Sequence, residues 1–378
     1  MPPTVIDLRR ADDARDVIHR AVQALAEGCC VGFPTENDYV VAGCLRQARV
    51  AEALSVWAEP RAGEPLLSVA LRGADETADW APRLCPAGRR LVRRCWPGPV
   101  VAVVDGGDAD GLVHHLPAEA RGRVTADGRL RLRVPSHPAL ADCLRMLAGP
   151  VGIAEPLVAG RPPVSADDLL AATGPGLALV LDDGPTRYGQ PATTVGIDRS
   201  GIRIVRPGIV SEETLRRLSS LMVLFVCTGN TCRSPMAEAL FRTMVAERLG
   251  CRPDEIDDRG IVVASAGLSA WGGGGASAGA IEAMAEAGAD LTAHESQPVT
   301  ENLVRQADVI LTMTASHRAG ILAQFPEAAG RVAMLSPERQ DVLDPIGGPI
   351  ATYRRCAQQI RGHLAARIDT LVDSPPRP

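Results

Sequence analysis

The chain predicts an α/β protein in two parts: a mixed α/β half, then a half whose strands and helices alternate as in a doubly wound parallel sheet. Three observations carry that expectation. The 378 residues are more than one domain needs, since domains cluster near about 100–150. A scattered pattern of strand-like runs stops at Pro207-Gly208, and strict strand–loop–helix alternation begins at Leu221. Residues 1–208 are therefore expected as the first domain, 209–220 as a linker and 221–378 as the second domain.

In the first part, Val17, Ile18, Val22, Leu25 and Ala26 recur at helical spacing over residues 12–27, and the stripe ends at Gly28. Short runs of β-formers predict strands at Cys30–Phe33, Leu66–Leu71, Val100–Val104, Leu130–Val134, Leu177–Leu181 and Ile202–Val205. Ser211, followed by Glu212 and Glu213, reads as the N-cap and acidic first turn of a short polar helix. In the second part, strands are expected at 221–226, 261–265, 308–313 and 332–335, and helices at 234–249, 278–288, 315–324 and 350–371. Such βαβ units place ligands at the carboxyl ends of the strands.

Composition narrows the function. Hydrophobic residues make up 46% and charged residues 22%, globular usage that excludes a disordered chain. None of the 40 basic residues is lysine, so mechanisms that need a lysine amine are excluded. A net charge of −5 with no basic stripe argues against strong nucleic-acid binding. The longest apolar run, Leu221 to Cys227, falls short of the ~18 residues that span a bilayer, so no membrane partner and a cytoplasmic location are expected. The ten cysteines lack the spacing of a disulfide framework or a metal site, and the adjacent Cys29 and Cys30 read as core thiols.

The most informative stretch runs from Leu221 to Met236: a buried strand, a tight loop Cys227-Thr228-Gly229-Asn230-Thr231-Cys232, then Arg233-Ser234-Pro235 opening a helix. A loop between a strand and a helix N-terminus turns several backbone N–H groups into one concavity, a cradle for a dianion. The same field favours the thiolate of Cys227. Arg233 can grip two phosphoryl oxygens at once, and Ser234 can donate a hydroxyl to the sulfur. Attack of sulfur on phosphorus also needs a proton donor for the leaving group. Asp344, in a loop with Pro345, Gly347 and Gly348, is the candidate acid, and then the base for the hydrolytic water.

Residues 221 to about 375 resemble the low-molecular-weight protein tyrosine phosphatases. The resemblance rests on the Cys-x5-Arg-Ser-Pro loop, Ser265-Ala266-Gly267, Thr292-Ala293-His294, Ala307-Asp308-Val309 and Asp344-Pro345, in that order. It implies Cys227 as nucleophile, Arg233 as phosphate clamp and Asp344 as acid and base. Asn230 would hold the loop, supported by Ser234 and His294, with no cofactor and with phosphorylated proteins as substrates. Within the family the loop is most similar to the protein-arginine phosphatases, which carry threonine at the position of Thr231. Pro345-Ile346-Gly347 lacks the aromatics that would sandwich a phenol ring, although Trp271 can form one wall. Phosphoarginine and phosphotyrosine both stay open as substrates.

Residues 12 to 210 resemble, more distantly, the YrdC-type threonylcarbamoyl-AMP synthases. The carrying pieces are Phe33 to Tyr39, Pro65-Leu66, Trp96-Pro97-Gly98-Pro99, Arg131 to Pro138, Thr193-Thr194-Val195 and Val205 to Gly208. The resemblance implies a curved mixed α/β sheet that binds ATP, with Mg, and threonine, and links the chain to tRNA modification. It makes Thr35 and Tyr39 threonine-site residues and places Arg133, His137, Thr194 and Arg206 near the nucleotide. Two departures stand out. Ala58-Glu59-Pro60-Arg61 replaces a lysine-containing run and displaces Arg61, and Glu155-Pro156-Leu157 replaces Ser-Ala-Asn. A carboxylate there repels a triphosphate. A retained but degenerate domain is expected, with threonylcarbamoyl-AMP synthesis as the alternative function of the chain.

Overall fold

The computed structural model describes residues 2–172 and 174–372; the outer domain ends expected at 1 and 378 lie outside them. The chain divides into two compact units, Met1–Leu218 and Ser219–Pro378.

The first unit is built on one mixed sheet of eleven strands. In chain order these are β1 (Thr4–Asp7), β2 (Cys30–Pro34), β3 (Tyr39–Cys44), β4 (Ser68–Ala70), β5 (Val100–Asp105), β6 (Thr125–Ala126), β7 (Arg129–Arg133), β8 (Val151–Ala154), β9 (Leu177–Asp182), β10 (Thr193–Asp198) and β11 (Gly201–Arg206). Their spatial order is β1-β9-β2-β3-β8-β4-β7-β5-β10-β11, with β6 on β7. The pleat sends alternate residues to opposite faces. Val31, Phe33, Val40 and Ala42 pack under the helices Ala14–Ala26 and Pro138–Met146. Tyr39 and Val41 join Leu54 and Trp57 of the helix Ala48–Trp57 on the other side.

The sequence reading missed β1, β3, β6, β8 and β10. Glycines weaken the strand signal in three of them, and packing requires them there: a Cβ on Gly43 would lie 2.5 Å from Val50, one on Gly152 2.7 Å from Leu45, and one on Gly196 3.1 Å from Val205.

The expected linker, 209–220, needs correction. Glu212–Ser219 is a helix, and Leu215 is buried in the first unit's core with Val210 and Leu218 packed against it. The amphipathic stripe of this short helix gives it a place in that core.

The second unit is a parallel four-stranded sheet: β12 (Leu221–Cys227), β13 (Ile261–Gly267), β14 (Val309–Thr312) and β15 (Val332–Met334), in the order β13-β12-β14-β15. Its central strand is apolar throughout and buried on both faces, as parallel strands are. Val223 and Phe225 face the helices Arg233–Leu249 and Ile350–Ala365, while Leu224 and Val226 pack with Val304, Ile321 and Ala328. The C-terminal helix, expected over 350–371, is two helices, Ile350–Ala365 and Ile368–Val372. Between them Arg367 turns its guanidinium onto the carbonyls of Met334 and Leu335 at the end of β15. Among the described residues no helix is long and apolar enough to cross a membrane.

Candidate active site

Cys227 is the last residue of β12, at the carboxyl edge where a parallel sheet presents its ligand site. The loop that follows turns back through Asn230, whose φ of +56° lies in the left-handed region that asparagine tolerates better than most residues. That turn aims the Asn230 amide N–H at Cys227 Sγ, 3.3 Å away, and the Ser234 hydroxyl lies 3.0 Å from the same sulfur. The Asn230 amide and the Ser234 hydroxyl therefore both lie against the sulfur at the start of the helix Arg233–Leu249.

Asn230 is held from three sides. Its Nδ2 donates to Ser234 Oγ and to Ser265 Oγ, both at 2.9 Å, and its Oδ1 accepts the Gln297 amide at 2.9 Å. His294 donates from Nε2 to the Asn230 carbonyl at 2.8 Å, which fixes its tautomer. Gly267, at the end of β13, packs against the loop: a Cβ there would lie 2.5 Å from the Thr228 carbonyl oxygen. Gly229 and Thr231 complete the turn, and the Thr231 carbonyl accepts the Ser277 amide at 2.8 Å. Cys232 is buried, with its Sγ 3.2 Å from Ser277 Oγ.

Arg233 and Asp344 meet directly, Nη2 to Oδ2 at 2.6 Å, with the arginine buried and the aspartate half exposed. The acid loop is gripped by the helix Ile350–Ala365. Gln359 accepts the Leu343 amide at 3.0 Å and donates to the Asp341 carbonyl at 3.1 Å, while Cys356 Sγ donates to the Leu343 carbonyl at 3.2 Å. Cys227, Ser234, Asn230 and His294 thus form one hydrogen-bonded group, and Arg233, beside Ser234 in the first turn of the same helix, carries Asp344. Trp271 lies in the loop after β13 and is 90% exposed.

His317 escaped the sequence reading. Its Nε2 lies 2.8 Å from Thr228 Oγ1, which in turn lies 3.5 Å from Arg233 Nη2, and its Nδ1 lies 2.9 Å from Thr314 Oγ1. Burial, reinforced by the charge of Arg233, pushes its pKa down and favours the neutral imidazole. The available signal was position: Thr314 caps a helix just past β14, the strand beside β12. Ser265, Gln297 and Gln359 were likewise not recognised as supports.

All ten cysteines are free thiols. Burial pushes Cys30 up to about 11 and Cys95, Cys143 and Cys356 up to about 12, which disfavours their thiolates. Among the described residues no cluster of three or more His, Cys, Asp or Glu is placed to hold a metal ion.

In the first unit, Arg133 Nη2 reaches Asn37 Oδ1 at 2.6 Å and Thr35 Oγ1 at 3.1 Å. Arg61 pairs with Glu155 at 3.5 Å, and Arg206 donates to Thr194 Oγ1 at 2.6 Å. Tyr39 and His137 turn elsewhere. The Tyr39 hydroxyl donates to the Gly184 carbonyl at 2.7 Å and accepts the Asp183 amide, and His137 Nε2 pairs with Asp183 at 3.1 Å.

Comparison with known proteins agrees with both halves. The family model for low molecular weight phosphotyrosine protein phosphatase matches residues 222–373, and the model described as telomere recombination, for Sua5, YciO and YrdC, matches residues 23–208. The protein-arginine-phosphatase of Bacillus subtilis is 42% identical over 142 residues, covering 36% of this chain and 88% of that protein. The low molecular weight protein-tyrosine-phosphatase PtpB of Staphylococcus haemolyticus is 34% identical over 143 residues, covering 37% of this chain and 92% of its own. A "Putative threonylcarbamoyl-AMP synthase" of Mycobacterium tuberculosis is 32% identical over 198 residues, covering 52% of this chain and 85% of its own. The chain belongs to the low molecular weight phosphotyrosine protein phosphatase family through its second domain and to the Sua5–YciO–YrdC family through its first.

Proposed function

We propose that the second domain is a cysteine-dependent protein phosphatase in which Cys227 is the nucleophile, Arg233 the phosphate clamp and Asp344 the acid and base. The observation that carries this reading is the convergence of the Asn230 amide and the Ser234 hydroxyl on Cys227 Sγ, with Arg233 and Asp344 joined beside the same loop. The sulfur attacks phosphorus and forms a cysteinyl-phosphate while the bond to the leaving group breaks. Asp344 gives that group its proton, then takes one from the water that releases inorganic phosphate. Arg233 supplies two parallel donors to the equatorial oxygens, where charge gathers in the transition state. A bound phosphoryl group competes with Asp344 for Arg233, and this frees the carboxyl to reach the leaving group.

The substrates are phosphorylated proteins, and phosphoarginine is the favoured group. Thr231 in the loop and the aliphatic Ile346 after Asp344-Pro345, where no aromatic can stack on a phenol, support this. Cys227→Ser is expected to abolish hydrolysis of an aryl phosphate while phosphate still binds; retained turnover would remove the assignment. Kinetics on paired phosphoarginine and phosphotyrosine peptides test the preference, and Thr231→Ile is expected to move it toward phosphotyrosine.

A further inference from the structure

The arginine cluster of the first domain is organised around one carboxylate. Glu155 Oε2 takes Arg131 at 2.6 Å and Arg61 at 3.5 Å, and Oε1 faces Arg133 at 3.6 Å. Arg131 and Arg133 are 1% and 0% exposed, and buried cations at that depth persist only with counter-charges. The other acids complete the shell: Glu36 and Asp38 each lie 3.4 Å from Arg133, and Glu64 lies 3.9 Å from Arg206. Arg61, Arg131, Arg133 and Arg206 thus face Glu36, Glu64 and Glu155, while burial pushes Asp38 up toward its neutral form. The positive field that a triphosphate needs is largely cancelled from within.

The fit between carboxylate and guanidinium groups is nevertheless incomplete on both sides: Glu155 Oε1 itself is buried without a hydrogen-bond partner. Arg131 Nε, Arg133 Nε and Nη1, and Arg206 Nε are buried without a hydrogen-bond partner. Five N–H groups on each planar guanidinium suit an anion with three or more oxygens, and Glu155 supplies two. We infer that Glu155 is a built-in counter-anion plugging a latent oxyanion site, so that the first domain rejects the triphosphate its fold resemblance implies, while a small neutral residue at 155 opens the site to pyrophosphate. The ATP with Mg expected from the resemblance therefore does not fit this chain.

The test is hydrogen exchange on the full chain, read at the amides of Arg129–Arg133 and Val151–Ala154, so that anions bound at the second domain do not register. Protection by a ligand scales as one plus its concentration over Kd. With wild type, pyrophosphate or ATP at ~10 mM is expected to change exchange by less than about twofold. With Glu155→Ser, exchange is expected to be faster in chloride alone and to slow by at least about 10-fold with pyrophosphate. Equal protection of wild type and variant overturns the proposal, as does a folded variant that pyrophosphate leaves unprotected. Glu155→Gln, close in size, is the second variant. Failure of both variants to fold even in pyrophosphate counts against the proposal equally, because the anion should replace the lost carboxylate.

Discussion

Asn230→Ala tests the construction of the phosphate loop. The substitution removes three side-chain hydrogen bonds, to Ser234, Ser265 and Gln297, at about 1 kcal/mol each. It also puts alanine at a φ of +56°, which costs about 1 kcal/mol more. The second domain should therefore lose about 4 kcal/mol, a large part of the ~5–15 kcal/mol that holds a domain folded. The Asn230 N–H also loses its aim at Cys227 Sγ, and a hydrogen bond to a charged group is worth about 1.5–3 kcal/mol, so kcat/KM should fall about 10- to 100-fold. Asn230→Asp separates the two effects: aspartate keeps the left-handed turn and the acceptor for Gln297, but its charge opposes both thiolate and phosphate. Its activity should fall at least as far as that of alanine, with a smaller loss of stability. Native-state hydrogen exchange at the β12 amides reads the stability, and an aryl phosphate reads kcat/KM. If Asn230→Ala stays within about 1 kcal/mol of wild type and keeps kcat/KM within threefold, the loop is not held as described.

Three further outcomes are expected. Gln359→Leu releases both hydrogen bonds that hold the segment just before Asp344, so kcat should drop about 10-fold for substrates with basic leaving groups and change little for nitrophenyl phosphates, a slope that a general loss of folding does not produce. His317 has its pKa pushed below the ordinary 6.5, so its neutral form stabilises the fold above pH 6.5 and that contribution is lost as pH falls below it; the denaturation midpoint should decline there, and His317→Asn should flatten the decline. Burial works against the charge of Glu155, but Arg131, Arg133, Arg61 and Arg206 together hold it at about 2 against the usual 4.5. The stability it contributes to the first domain should be intact above pH 4.5 and disappear between there and pH 2, a loss that Glu155→Gln abolishes.

The loop after β12 was legible because its signal is local: an apolar strand, a turn and a helix start lie within residues 221–236. Asp344 was legible from its Pro and Gly neighbours. The supports were not, because strand register makes them neighbours. β12 pairs in parallel with β13 and β14, which brings Ser265 and the Thr314-to-His317 turn to one edge from distant places in the chain. In the first domain, the arginines of β7 were visible, and so was the charge conflict at Glu155. The actual pairing, Arg131 to one Glu155 oxygen and Arg133 facing the other, depends on β4 lying between β7 and β8, an order no local pattern announces.

The short helix Glu212–Ser219, with Leu215 sealed into the first domain's interior, decides where the two halves can be parted. A chain ended at Gly208 gives up that plug and bares the apolar surface beneath it, whereas one ended at Leu218 keeps its interior whole. The second half can then begin at Ser219, directly ahead of β12. The seam lies where the backbone leaves one interior for the other, ten residues beyond the place where the strand pattern fades.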